Sequence, residues 1–212
     1  MENTKKIIFN FSYFTLNAIR ASSTFISGGG IFLVRKKVYK KQHILVAARE
    51  LLAEKGFSSI TARNVAEYMG ISTQPIYLEF KNMEELKLTL LKTTYDILET
   101  EFFSKKQTSN NVVNFGLNYL DFAKTNSKLY ISLYIEQHSY GQELQQLSFD
   151  SFQHSIKEDK YYATFSNEKL KKLHMNLLIV TIGMASLSIS GIVNQTRAQL
   201  MTAFEDIEQK IQ

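Results

Sequence analysis

The chain is expected to be all-α, and three observations carry that expectation. Its 212 residues contain 9 glycines and one proline, too few to punctuate the tight turns of a β-rich fold. Apolar residues return at the three- and four-residue intervals of a helix face in one segment after another. Short polar breaks, such as KKQTSNN at 105–111, separate those segments.

Composition narrows the function classes. Hydrophobic residues at 44% and charged residues at 21% are ordinary globular usage and provide for a real core. The absence of cysteine excludes disulfides, thiolate metal sites and a cysteine nucleophile, and it fits a cytoplasmic protein. The net charge of +5 is unevenly placed. Residues 34–81 hold nine Lys/Arg against four acids, whereas residues 82–212 hold thirteen against fifteen. A basic segment of that size is an electrostatic footprint for nucleic acid, although a solvated basic face reads the same way from charge alone.

Residues 1–33 show no clean helical period. Arg20 and several polar residues interrupt the apolar run, which therefore matches neither a secretory signal nor a span of roughly 20 apolar residues. The expectation is that these residues are a non-native or disordered extension, with native translation starting near Val34. A mobile arm or weak membrane anchor is the competing reading.

From Lys37 to Lys55, Ile44, Ala47, Ala48 and Leu51 form one helix face, and Gly56 supplies its stop. Thr61 is suited to cap a second, short helix in which Ala62, Val65, Ala66 and Met69 repeat the spacing before Gly70 ends it. Ser72 is expected to cap a third helix beginning at Thr73. The chain's one proline, Pro75, then lies in that helix's first turn, where the missing N–H costs little. Two short helices joined by a glycine turn, the second opening with small polar residues, describe a helix-turn-helix; an ordinary helical hairpin is the bland alternative.

The stretch from Ile44 through AARELLAEKGF, SITARNVAEYMGIS, IYLEF and NMEEL resembles the N-terminal DNA-binding domain of the TetR (tetracycline repressor) family over about 45 residues. That resemblance implies phosphate contacts from Thr61 and Arg63, a recognition surface of Ser72, Thr73, Gln74 and Pro75, and a DNA-backbone hydrogen bond from Tyr77. Chemically, Gln74 suits paired hydrogen bonds to adenine, and the Thr73 methyl or Pro75 ring suits a thymine methyl. Lys36, Lys37, Lys40, Lys41 and Lys81 are candidates for phosphate attraction. Two positions depart from the family pattern. Met83 stands where a lysine is usual, and Glu79 brings negative charge toward the phosphates unless a neighbour such as Lys81 pairs with it. Asn82 and Glu85 are expected to form a capping box.

Beyond Lys81 the resemblance fades. Asn82 to about Ser104 reads as a connecting helix. VVNFGLNYLDFA, KLYISLYIEQHS and GQELQQLSFDSFQHSI read as further helices, followed by a long one from Glu168 to about Val193 and a last one from Thr196 to Ile211. The run LLIVTIGMASLSISGIV is apolar nearly all round and is expected as a buried helix rather than a membrane span. By resemblance, the last two helices pair with a second subunit. Phe115, Tyr119, Phe122, Tyr130, Tyr134, His138 and His174 are candidates for a ligand pocket, against the alternative that they pack the core.

The four histidines lack metal-ligand spacing, and no nucleophile elbow or phosphate loop is present. The expected organisation is an extension at 1–33, a DNA-binding domain at 34–81 and a ligand-binding and dimerisation domain at 82–212. The expected function is a dimeric repressor, with no catalytic residue, metal, cofactor or membrane, released from palindromic double-stranded DNA by a small-molecule effector. The alternative is a helical protein-interaction module of the same fold, without an inducer or with DNA binding lost.

Overall fold

The structure is a computed structural model that describes residues 39–210. The 1–33 extension, Lys36 and Lys37 lie outside the described residues. Nine α-helices and no strand form among those described.

Helix α1, Lys41–Lys55, buries Ile44, Ala47, Ala48, Leu51 and Leu52, the face that the apolar spacing marks. A 3₁₀ turn at Phe57–Ser59 leads to α2, Ala62–Met69. Thr61 Oγ1 accepts from the Asn64 N–H at 3.1 Å, so the expected cap is formed. Gly70, at φ 68 and ψ 38, closes α2 in the left-handed region, and its N–H is directed to the carbonyls of Ala66 and Glu67. Helix α3, Gln74–Glu79, begins one residue later than expected. Thr73 rather than Ser72 occupies its N-cap, and no side chain caps it. Pro75 therefore sits at the second helical position, where its missing donor and fixed φ are both tolerated. Ile76 and Phe80 turn inward and join Ile44, Leu51, Phe57, Ile60 and Val65 in one core.

Helix α4, Met83–Leu98, continues into a π-helical turn at Glu99–Phe103. Asn82 Oδ1 accepts from the Glu85 N–H, but the reciprocal half of the expected capping box is displaced. The Glu85 carboxylate accepts the N–H of Lys81, not that of Asn82. The remaining helices are α5 (Asn111–Thr125), α6 (Ser127–Tyr134), α7 (Gly141–Ile156), α8 (Asn167–Ile189) and α9 (Arg197–Gln209).

Helix α5 is the axis of this larger region, packed by α6, α7, α8 and α9 and burying ten of its own residues. Gly116 is the reason α9 can approach so closely. A Cβ built there would lie 2.3 Å from the ring of Phe204, which is fully buried. Helix α6 also packs against α1, and Ser132 Oγ donates to the Leu52 carbonyl across that contact.

The apolar run of α8 departs from expectation. The helix stops at Ile189, before Ser190 and Gly191, and only one face is buried, through Leu173, His174, Leu177, Leu178, Thr181 and Ala185. Ile179 (61% exposed), Leu187 and Ile189 lie uncovered, as does Ile192 just beyond the helix. By length and composition α8 could cross a membrane, but its packing along α5 is that of a helix flanking a core.

Candidate nucleic-acid interface and effector region

The starts of α2 and α3 carry the residues expected to meet DNA. Thr61, Arg63, Ser72, Thr73 and Gln74 are exposed, Pro75 is half-buried, and Tyr77 is 57% exposed. Burial of Ile76 explains this division: with that side chain locked into the core, its neighbours along the helix, Leu78 (75% exposed) among them, turn outward. Thr61 uses one lone pair in its cap and keeps its O–H as a donor, the chemistry a phosphate oxygen requires. Lys40 and Lys81 are exposed as well.

Lys41 is committed elsewhere. Its Nζ lies 2.9 Å from Glu85 Oε1, and 4.7 Å from the centre of the Phe80 ring. Its backbone N–H donates to Glu79 Oε2 at 3.0 Å. Glu79 thus does not pair with Lys81, the partner suggested from sequence. Its carboxylate instead satisfies one of the orphan donors at the start of α1, where the helix dipole favours negative charge. His43 Nδ1 accepts a second, from Lys40. The neighbouring Glu85 has its carboxyl pKa lowered, first by its hydrogen bond from the Lys41 side chain and then by that from the Lys81 backbone. Met83 is half-buried and packs on the core.

The aromatic residues singled out for a ligand pocket divide into two groups. Phe115, Tyr119, Phe122, Tyr130 and His174 are buried and in mutual ring contact within the core. A polar chain threads them. The Tyr95 and Tyr119 hydroxyls meet at 2.9 Å, Tyr119 meets Ser148 Oγ at 2.7 Å, and Ser148 meets His174 Nε2 at 2.8 Å. Tyr95 and Ser148 belong to this chain but have no periodic signal that could have picked them out; only the meeting of α4, α5, α7 and α8 joins them. Burial pushes His174 down to about 4, so it is neutral, and pushes the Tyr119 phenol up.

Tyr134 and His138 line a cleft of about 290 Å³ where α6, α7 and α8 meet, walled by Leu133, Leu144, Leu178 and Ile182. His138 is fixed between two backbone groups. Its Nδ1 accepts from the Tyr140 N–H at 3.2 Å, so Nε2 carries the proton it donates to the Leu133 carbonyl at 2.7 Å. The opposite side of the ring system belongs to the helix-turn-helix segment: His138 and Tyr140 lie 4.7 and 5.3 Å from the Phe57 ring. Tyr140 also donates to Glu84 at 2.9 Å, and burial followed by that bond raises its phenol to about 12. A second, more polar cleft of about 460 Å³ includes Phe103 and Phe115 with Glu99, Lys105, His154 and Lys157, charges of both signs.

Residues 44–89 match the model for bacterial regulatory proteins of the tetR family. No curated protein matches the chain. Among solved structures, a TetR-family protein from Vibrio parahaemolyticus superposes with a TM-score of 0.57 at 16% identity, over 79% of this chain and 95% of that one. The fatty acid degradation regulator FadR from Bacillus halodurans gives 0.55 at 16%, over 84% and 96%. The flavonoid-responsive regulator FrrA gives 0.54 at 19%, over 81% and 94%.

Proposed function

We propose that this chain, with the DNA-binding segment of the tetR family of bacterial regulatory proteins on the fold of that family's transcriptional regulators, is a cytoplasmic homodimeric repressor released from its operator by a small molecule. The observation that carries the reading is the exposed polar surface at the starts of α2 and α3, built over an apolar core that leaves those side chains free for another molecule. In this reading Thr61, Arg63, Lys40 and Lys81 contact phosphate and set register, as do Lys36 and Lys37 ahead of α1. Ser72, Thr73, Gln74 and Pro75 read base edges, and Tyr77 donates to the backbone. Lys41 joins the phosphate contacts only by leaving Glu85. The division of labour is a DNA-binding domain at 34–81 and an effector and dimerisation domain at 82–212.

A two-fold dimer is supported by the uncovered apolar side of α8. Ile179, Leu187, Ile189 and Ile192 form a surface that an isolated chain would leave in water. A second copy of the same surface would bury it and present two α3 helices to two half-sites. The effector then acts by binding better to the arrangement that does not fit the operator, since only differential affinity moves the equilibrium.

The test is selection of genomic fragments, including the gene's own upstream region, by the full chain at two salt concentrations. Recovery of a palindromic site whose affinity falls steeply with salt supports the reading. Weak binding without sequence preference would overturn it and leave a protein-interaction role on the same fold.

A further inference from the structure

The cleft at the meeting of α6, α7 and α8 combines a particular charge with a particular location. Its inner walls are aliphatic, from Leu133, Leu144, Leu178 and Ile182, with the Tyr134 ring beside them. Its polar lining consists of Gln137, Gln145, His138, whose ring is held by two backbone groups, and one carboxylate, Glu136. No lysine or arginine lines it. The described residues give the Glu136 carboxylate no salt-bridge partner, since the one ion pair among them joins Lys41 to Glu85. A carboxylate or phosphate ligand would meet only negative charge there, whereas a cation would gain a partner.

Glu136, like His138, also reaches from the cleft to the helix-turn-helix segment. Gly56, at φ 75, ends α1, and a Cβ built on it would lie 2.1 Å from Glu136 Oε2. The carboxylate therefore rests on bare backbone at the junction between α1 and the turn that leads to α2. Ser132 holds the Leu52 carbonyl just before that junction, and His138 lies over Phe57 just after it.

We infer that this cleft is an effector subsite for a small apolar amine, with the hydrocarbon body against the aliphatic walls and the ammonium paired with Glu136. The inference rests on the reading of the chain as an effector-responsive regulator and deepens it by naming the ligand class. An ammonium in the cleft draws the Glu136 carboxylate away from Gly56 and loosens the seat of α1 on α6. The pairing that selects the ligand is thereby the one that weakens the grip on the DNA-binding segment. The volume of about 290 Å³ suits a single aromatic ring with a short alkyl chain and is too small for a long acyl chain.

The experiment titrates the full chain, without DNA, with three molecules of one shape and different head charge: 4-phenylbutylamine, 4-phenylbutan-1-ol and 4-phenylbutyrate. Calorimetry is expected to rank the amine about fivefold above the alcohol, the size an exposed ion pair provides, with the carboxylate weakest. Glu136→Gln, at an exposed position, is expected to abolish the preference for the amine over the alcohol. Carboxylate binding as tight as the amine, an amine preference that survives Glu136→Gln, or no binding of any of the three would overturn the inference. None of these outcomes involves DNA. Failure here beside intact operator binding removes the amine subsite alone, and selective amine binding beside failed operator binding removes the repressor reading alone.

Discussion

Gln74 and Tyr77 lie three residues apart on α3 and are expected to fail differently when altered. On the proposed roles, Tyr77→Phe removes one donor to the sugar-phosphate backbone and should weaken binding to all sequences alike. Gln74→Ala should change sequence preference by about 1–3 kcal/mol at the base it reads. Affinities of both variants for a panel of single-base operator changes check this, and equal losses across the panel from both variants would contradict the two roles. His174 is a residue of a different kind. Its folded-state value of about 4 lies below the ordinary 6.5, so the unfolded chain takes up a proton at a pH where the folded chain does not. Its contribution to stability is complete above pH 6.5 and is lost as pH falls toward 4, to a total of roughly 3 kcal/mol. Urea unfolding of the wild type and His174→Gln at pH 7 and pH 5 checks the sign: the wild type should lose more stability on acidification than the variant. Both roles start from residue types that are plain in the sequence. Whether a histidine meets a ligand or a serine was not, because that depends on α7 bringing Ser148 within 2.8 Å of its ring.

Element boundaries followed local chemistry closely where caps are strong and less closely where they are weak. Thr61 and Gly70 bound α2 as their chemistry requires, one accepting the Asn64 N–H and the other adopting left-handed φ. Helix α3 has no side-chain cap, and its start moved by one residue. The start of α1 shows why such reading has a limit. The acceptors for its orphan donors are Glu79, from a helix 38 residues away, and His43. No local window contains the first of them, so the sequence around Glu79 shows only an acidic residue on α3 and not its acceptor role at α1. Gly116 is a comparable case in the larger region. Its sequence neighbourhood presents a helix interior in which alanine would ordinarily stabilise. Packed against Phe204, it leaves no room for a methyl group. Gly116→Ala should therefore destabilise the fold by about 1–3 kcal/mol, the cost of overpacking, measured as a lowered thermal midpoint. An unchanged or raised midpoint would mean that α9 shifts freely to accommodate the change.

At the scale of the molecule, the uncovered side of α8 makes a prediction about assembly. Ile179→Glu places a charge on the surface proposed to be shared by two copies, and Ile179 is exposed in the single chain, so folding should survive. Sedimentation should then show a monomer, with operator affinity reduced at least tenfold because one half-site is lost. A variant that stays dimeric would move the interface elsewhere. The helical fold and the helix-turn-helix segment were legible from sequence alone, because they follow from glycine and proline usage, 3.6-residue periodicity and capping chemistry within one or two turns. Tertiary structure alone decided which aromatics are core and which line a cleft, that Glu79 serves α1, and that Glu136 rests on Gly56. The last two join residues 38 and 80 positions apart, and all are set by how whole helices pack, because periodicity identifies the face a helix buries without naming the helix that covers it.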